Sequence, residues 1–401
     1  MKLRYKAYTQ DGKILRGLIE AGDVSEAASY LRDKDIVPIQ ITRDKDSFIY
    51  RVLPFFNKTN SSDLILFTRQ LSSMLTSGLT LDRSLQILKD QIENQAMIEV
   101  VTGIINDVEE GKSFSSAISK HPATFSPIYI SLIKAGESSG LLDKVLLRLA
   151  DNLEKDRKLK STVKGALMYP AIVVALMLVV IVIMMIFVIP QLSILYQNLG
   201  VPLPLPTKIV IGLSRFIGGF WFLILAALAF IVFLYRRWVK TEEGQLIFDN
   251  LVLKLPIFGQ LIKQTILTEF SRTFGLLVGT GTLVVPSLLE TADITGNIHY
   301  KNAIKDVSRQ VEKGVTIGDA LSSYTLFPPI LVQLVKVGEQ TGKIDETLAR
   351  ASDYFESEVN QTVKTLTTAL EPFIMIVLGI GVAFLIVSVI TPIYSLISGL
   401  Q

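Results

Sequence analysis

Apolar residues recur at three- and four-residue spacing from Asp63 onward. Leu64, Phe67, Leu71, Met74 and Leu75 form one stripe, as on an amphipathic helix with one buried face. Asp82 opens a second helix with Leu85, Leu88 and Ile92, and Met97 to Glu109 makes a third. Ser77-Gly78 and Gly111 end the first and third, because glycine takes the left-handed closing conformation without a Cβ penalty. Ser113 and Ser126 are expected N-caps of two shorter helices. A turn is expected at Gly136-Glu137-Ser138-Ser139-Gly140, with a long helix starting near Leu141. It passes through the charged run Glu154-Lys155-Asp156-Arg157-Lys158-Leu159-Lys160, and then its polar face disappears. No Asp, Glu, Lys or Arg lies between Lys164 and Lys208. About 20 apolar residues rising about 1.5 Å each cover the roughly 30 Å of a bilayer core. Residues 168–190 therefore predict a membrane-spanning helix fed directly by a water-soluble one.

The polar face is lost twice more, from Phe216 to Tyr235 and from Phe373 to Ile390. Spans are expected at 168–190, 214–235 and 372–392. Lysine and arginine near span ends favour the cytoplasmic side. Lys155, Arg157, Lys158, Lys160 and Lys164 precede the first span, and Arg236, Arg237 and Lys240 follow the second. Only Lys208 and Arg215 lie between the two apolar runs, Met168 to Ile189 and Phe216 to Tyr235. Segments 63–167 and 236–371 are thus expected in the cytoplasm, with the loop 191–213 and the tail 393–401 on the periplasmic side.

Ahead of the helices, Leu3 to Tyr8 and Ile14 to Glu20 alternate in part with period two around Asp11-Gly12, a hairpin signal. Asp23 to Asp33 predicts a helix, and Val37 to Ile41 a returning edge strand. Residues 1–43 read as a small α+β module with a marginal core, either a docking or regulatory piece or a plain appendage. Residues 44–62, charged and then turn-rich, read as a linker. The start lacks the apolar core of a signal peptide, so the N-terminus is expected in the cytoplasm.

The helical pattern occurs twice. Phe67-Thr68-Arg69 returns as Phe270-Ser271-Arg272, and Glu109-Glu110-Gly111 as Glu312-Lys313-Gly314. After a one-residue gap, Phe125-Ser126-Pro127-Ile128 returns as Phe327-Pro328-Pro329-Ile330, and Lys134-Ala135-Gly136-Glu137 as Lys336-Val337-Gly338-Glu339. Gly140, Asp143, Asp151 and Pro170 return as Gly342, Asp345, Asp353 and Pro372. A register held over about a hundred residues marks an internal repeat. The expected architecture is mainly α: two repeated cytoplasmic antiparallel helical bundles, three transmembrane helices and the small N-terminal module.

A net charge of +3 carries no nucleic-acid signature. The absence of cysteine excludes disulfides, cysteine metal sites and cysteine nucleophiles. The two histidines, His121 and His299, are not spaced as a metal pair. There is no phosphate-loop lysine motif and no nucleophile elbow. The apolar runs from Met168 to Ile189, Phe216 to Tyr235 and Phe373 to Ile390 hold no Asp, Glu, Lys, Arg or His of the kind ion-coupled carriers use. No catalytic, cofactor or metal site is expected. The best candidate site is the repeated Gly-Glu-x-x-Gly: Gly136, Glu137 and Gly140, with Gly338, Glu339 and Gly342. Its glycines suit a turn and its glutamate suits the N–H groups of the next helix. A partner contact, or a hard cation such as Ca²⁺, suits the same carboxylate. Arg69 and Arg272 are candidate helix contacts, with an intramolecular ion pair favoured. Pro170 and Pro372 mark the expected entry of each soluble helix into the membrane, where a kink is tolerated.

Phe67-Thr68-Arg69-Gln70-Leu71, Ser77-Gly78-Leu79-Thr80-Leu81, Lys134 through Asp143 and Ala166-Leu167-Met168-Tyr169-Pro170 resemble the type II secretion system F domain. That family holds the inner-membrane platform protein of type II secretion and its type IV pilus counterpart. The resemblance covers nearly the whole chain. His121-Pro122 before Phe125, the Leu203-Pro204-Leu205-Pro206-Thr207 loop and the form of the N-terminal module look more like the secretion branch. The second copy departs from the pattern at Glu371, where the first has Tyr169, and in the small residues Val278-Gly279-Thr280. The resemblance implies a non-enzymatic scaffold in the bacterial inner membrane, without a cofactor. It implies coupling of a cytoplasmic hexameric ATPase to pseudopilin filament assembly. It also implies contact with other inner-membrane proteins of the machine and with lipid, and association into a homo-oligomer. Pilin assembly is the alternative, and a transporter or channel a remote one.

Overall fold

The computed structural model describes residues 2–8, 14–34, 36–43, 59–188, 190, 191, 194 and 205–399. The Asp11-Gly12 turn, most of the linker and the Leu203-Pro204 part of the loop lie outside them. In the N-terminal module, β1 (Lys2–Tyr8) pairs antiparallel with both β2 (Ile14–Glu20) and β3 (Val37–Arg43). Pro38 falls on the edge strand β3, where a missing N–H is tolerated. Helix α1 (Val24–Asp33) buries Ala27 and Leu31 and is capped by Asp23, which accepts from the Glu26 N–H.

The first copy is α2 (Ser61–Thr76), α3 (Leu81–Gln91), α4 (Gln95–Glu109), α5 (Phe114–Ser119), α6 (Pro127–Ser139) and α7 (Leu142–Ile183). Local chemistry sets these ends. Thr80, Asn94, Ser113 and Ser126 each accept a backbone N–H of the first turn that follows. Gly78, Gly111 and Gly140 take positive φ after helix ends, as left-handed closing residues. Helix α7 runs for 42 residues and continues into a π-helical turn, Met184–Val188. Next come α8 (Leu205–Trp238), with a local break at Phe220, and α9 (Glu242–Lys254). The second copy is α10 (Phe258–Gly279), α11 (Val284–Ile294), α12 (Ile298–Glu312), α13 (Ile317–Ser322), α14 (Pro329–Thr341) and α15 (Ile344–Gly399). Each of its helices occupies the place of one in the first copy.

Each copy buries its own core. Phe67, Leu71, Leu85, Met97, Phe125, Tyr129 and Leu146 fill the first. Phe270, Phe274, Leu288, Tyr300, Phe327, Leu331 and Leu348 hold the matching places in the second. Helices α7 and α15 extend past these cores as stretches long and apolar enough to cross a membrane, almost wholly uncovered. The apolar α10 meets α9 at a bend of 109°, but its Phe270 and Phe274 lie inside the second core, so it is a bundle helix.

Candidate functional site

The repeated Gly-Glu-x-x-Gly is not a free turn, as the sequence suggests. Gly136 and Glu137 lie in the last turn of α6, and Gly338 and Glu339 in that of α14. Only Gly140 and Gly342 leave the helix, in left-handed conformation at φ 71° and 70°. Each glutamate reaches back to the preceding short helix, not forward to the next one. Glu137 accepts from the Phe114 and Ser115 N–H groups at 2.6 and 3.0 Å, and from the Ser115 hydroxyl at 2.6 Å. Glu339 accepts from the Ile317 and Gly318 N–H groups at 2.9 and 3.2 Å. A carboxylate on the N–H groups of a first turn satisfies donors without an intrahelical partner. A helix of six residues is thereby held against its neighbour. Gly136 and Gly338 serve close approach. A Cβ at Gly136 would lie 3.0 Å from Val145, and one at Gly338 would strike Thr347 and lie 2.9 Å from the Ile344 Cα.

Both candidate arginines form intramolecular ion pairs. Arg69 pairs with Asp151 and Glu154, each at 2.7 Å, with its side chain 31% exposed. Arg69 holds the Glu154 carboxyl below the usual carboxylate range. Arg272 pairs with Glu356 at 2.6 Å, with its side chain only 8% exposed. Its Nε and Nη1 are buried without a hydrogen-bond partner.

Arg272 borders the one feature that sequence reasoning missed, the junction between the copies. Helix α7 lies against α10 and α15, with Leu159 packed among Leu261, Val359, Val363 and Leu366. Polar contacts flank this apolar seam. Lys155 pairs with Asp353 at 2.8 Å, and Arg148 donates to the Gly279 carbonyl at 2.8 Å. Ser131 donates to Glu290 at 2.8 Å. Lys160 stands 3.9 Å from Glu269, whose carboxyl is pushed up by burial, with Lys160 opposing. A cleft of about 580 Å³ opens beside the seam, bordered by Arg148, Lys155, Arg272, Asp345 and Asp353. The signal was present as divergence between the copies: Leu261, Val359 and Leu366 stand where the first copy has Lys58, Arg157 and Lys164. The junction accounts for the apolar residues in the second copy.

Pro170 and Pro372 lie inside α7 and α15, which run through them unbroken. The Tyr300 hydroxyl donates to the Leu326 carbonyl at 3.1 Å, and His299 Nε2 lies 3.2 Å from the Leu246 carbonyl. Among the described residues, no group of three or more His, Asp or Glu side chains is gathered for a metal ion.

Comparison with known proteins follows the same division. The model of type II secretion system protein F matches twice, at 67–190 and 270–392. The model of that protein's N-terminal domain matches 4–42. A type IV pilus assembly protein of Aeromonas hydrophila is 33% identical, covering 98% of this chain and 95% of its own. One of Thermus thermophilus is 34% identical, covering 99% and 98%. A type II secretion system protein F of Xanthomonas campestris is 29% identical, covering 98% of each chain.

Proposed function

This chain belongs to the type II secretion system protein F family, and we propose that it is an inner-membrane assembly platform for a pilin-like filament. The observation that carries this reading is a continuous helix in each copy, leaving a bundle core and becoming apolar without interruption. Helix α7 does so from Leu142 and α15 from Ile344. A rigid rod transmits tilt or rotation at one end to the other, whereas a flexible joint dissipates it. The cytoplasmic bundles receive the work of a hexameric assembly ATPase, and the membrane helices deliver it to pilins or pseudopilins. In this reading the chain spans the membrane at 168–190, 214–235 and 372–392, with both bundles and the N-terminus in the cytoplasm and the C-terminus in the periplasm; the lysines and arginines at 155–164 and 236–240 support that orientation. No step requires catalysis by this chain, and the Gly-Glu motifs keep a structural part.

The type IV pilus reading is favoured by identity, 33% and 34% to the pilus proteins against 29% to the secretion protein. The secretion reading rests on His121-Pro122 and the Leu203 to Thr207 loop. A deletion strain complemented with the wild-type chain decides: restored surface pili support the first, restored export the second. In that strain, a flexible glycine linker inserted at Ser161 is expected to abolish assembly while leaving membrane insertion intact. Unimpaired assembly would refute the rod.

A further inference from the structure

The two copies meet through different faces. The first presents α7, with Arg148, Lys155 and Leu159. The second presents the groove between α10 and α15. Two related units joined by unlike faces leave one face of each kind free, on opposite units. The free face is on α15, where Arg350, Tyr354, Ser357 and Gln361 hold the places of Arg148, Asn152, Lys155 and Leu159. All four are exposed, Tyr354 by 42%. Arg350 makes no hydrogen bond or ion pair among the described residues. The groove left open among the described residues lies between α2 and α7, a hollow of about 360 Å³ lined in part by Arg157 and Ser161. On the same helix α2, Leu66 is 53% exposed, at the place of Glu269.

We propose that chains associate head to tail, the α15 face of one chain seated in the α2–α7 groove of the next, repeating the contact already made within each chain. The chemistry has changed on both sides together. Within the chain, Leu159 meets Val359, Val363 and Leu366. Between chains, Gln361 faces Arg157, Ser161 and Lys164, the residues at those three places. An amide meets hydrogen-bonding groups where an alkyl group meets alkyl groups, so the match of knob to groove is kept. The arginine is kept too. Arg148 donates to the carbonyl of Gly279, the last residue of α10. Arg350 finds the Thr76 carbonyl, at the last residue of α2, a helix end that favours a cation. A polar seam makes a separable contact between chains, and an apolar one a permanent contact within the chain. Repetition of unlike faces closes a ring when its rotation divides a full turn and otherwise winds a filament. The inference stands on the repeat and the internal contact, independently of the platform reading.

The chain has no cysteine, so introduced thiols report cleanly. Full-length protein carrying both Ser161→Cys and Gln361→Cys, treated in its membrane with a short bis-maleimide, is expected to give a ladder of dimers, trimers and larger species. A mixture of chains carrying one substitution each is expected to stop at dimers. Adding Arg350→Glu to the doubly substituted chain is expected to reduce the ladder roughly tenfold, the loss of about 1.4 kcal/mol at the contact. Three results would overturn the proposal: monomer alone, as when lipid or this chain's own linker fills the groove; cross-linking within one chain only; or dimers from either single substitution alone, which means matching faces.

Discussion

The two copies share a helix plan and differ in what surrounds one arginine. Arg69 lies at the surface between two carboxylates, Asp151 and Glu154. Arg272, at the same place in the second copy, is buried and keeps only Glu356, the counterpart of Glu154. The counterpart of Asp151 is Asp353, which has been taken by Lys155 of the first copy. One position thus changes from a solvated ion pair to a buried one because the junction covers it and draws off a partner. Equivalence in sequence fixes the backbone around such a residue, while its neighbours across the junction set the energy of its contacts.

The largest expected effect separates these two arginines. Arg272→Ala leaves Glu356 without its partner in a largely buried place, at a cost of about 3–5 kcal/mol. Arg69→Ala breaks an exposed pair and costs about 1 kcal/mol or less. Thermal unfolding in detergent measures both, and equal losses would break the comparison.

A second test concerns the buried tyrosines. Tyr129 on α6 packs on Phe125, with ring centroids 5.0 Å apart, and its hydroxyl meets that of Thr68 at 3.1 Å. In the second copy that place is Leu331, and the tyrosine is Tyr300 on α12, 5.9 Å from Phe327. Met97 holds the place of Tyr300 in the first copy. The bulk has moved between helices while the phenylalanine stayed. Tyr129→Leu is expected to cost about 2–4 kcal/mol. Adding Met97→Tyr is expected to recover part of that loss, because residues sharing one core couple. Strict additivity in the double variant would mean that the exchange is not compensatory.

Glu137→Ala and Glu339→Ala remove the same device from each copy and leave two N–H groups unpaired, at about 2 kcal/mol each. Amide hydrogen exchange is expected to speed up in α5 for the first and in α13 for the second. Unchanged protection there would deny the capping role.

The smallest effect sharpens the junction itself. Burial holds the Glu269 carboxyl above its ordinary 4.5. The folded state then binds the proton more tightly than the unfolded one, so this group's contribution to stability falls as pH rises upward from the unfolded value. Lys160 opposes the shift, which keeps the effect small. Glu269→Gln is expected to raise the melting temperature slightly at neutral pH and to lose that advantage at acid pH. A gain that grows with acidity would reverse the sign and sink the argument.

Signals acting within one or two helical turns were legible in the sequence. Caps such as Ser113 and Ser126 bond three residues ahead, glycines such as Gly78 and Gly111 end helices by their own φ, and the apolar stripes name the core faces. The register of the repeat and the uncharged runs came from the same one-dimensional pattern, since length and apolarity are local properties. What the sequence left open lay between elements distant in the chain. Glu137 caps a helix that precedes its own, not the one that follows. Leu159 looks like one more stripe residue until α10 and α15 close around it. Lys155 chooses Asp353 over nearer carboxylates because packing brings α15 beside α7. Residue type and spacing decide which bonds a backbone makes along a helix, whereas pairing of side chains across helices depends on which faces meet. Only the tertiary structure decides that.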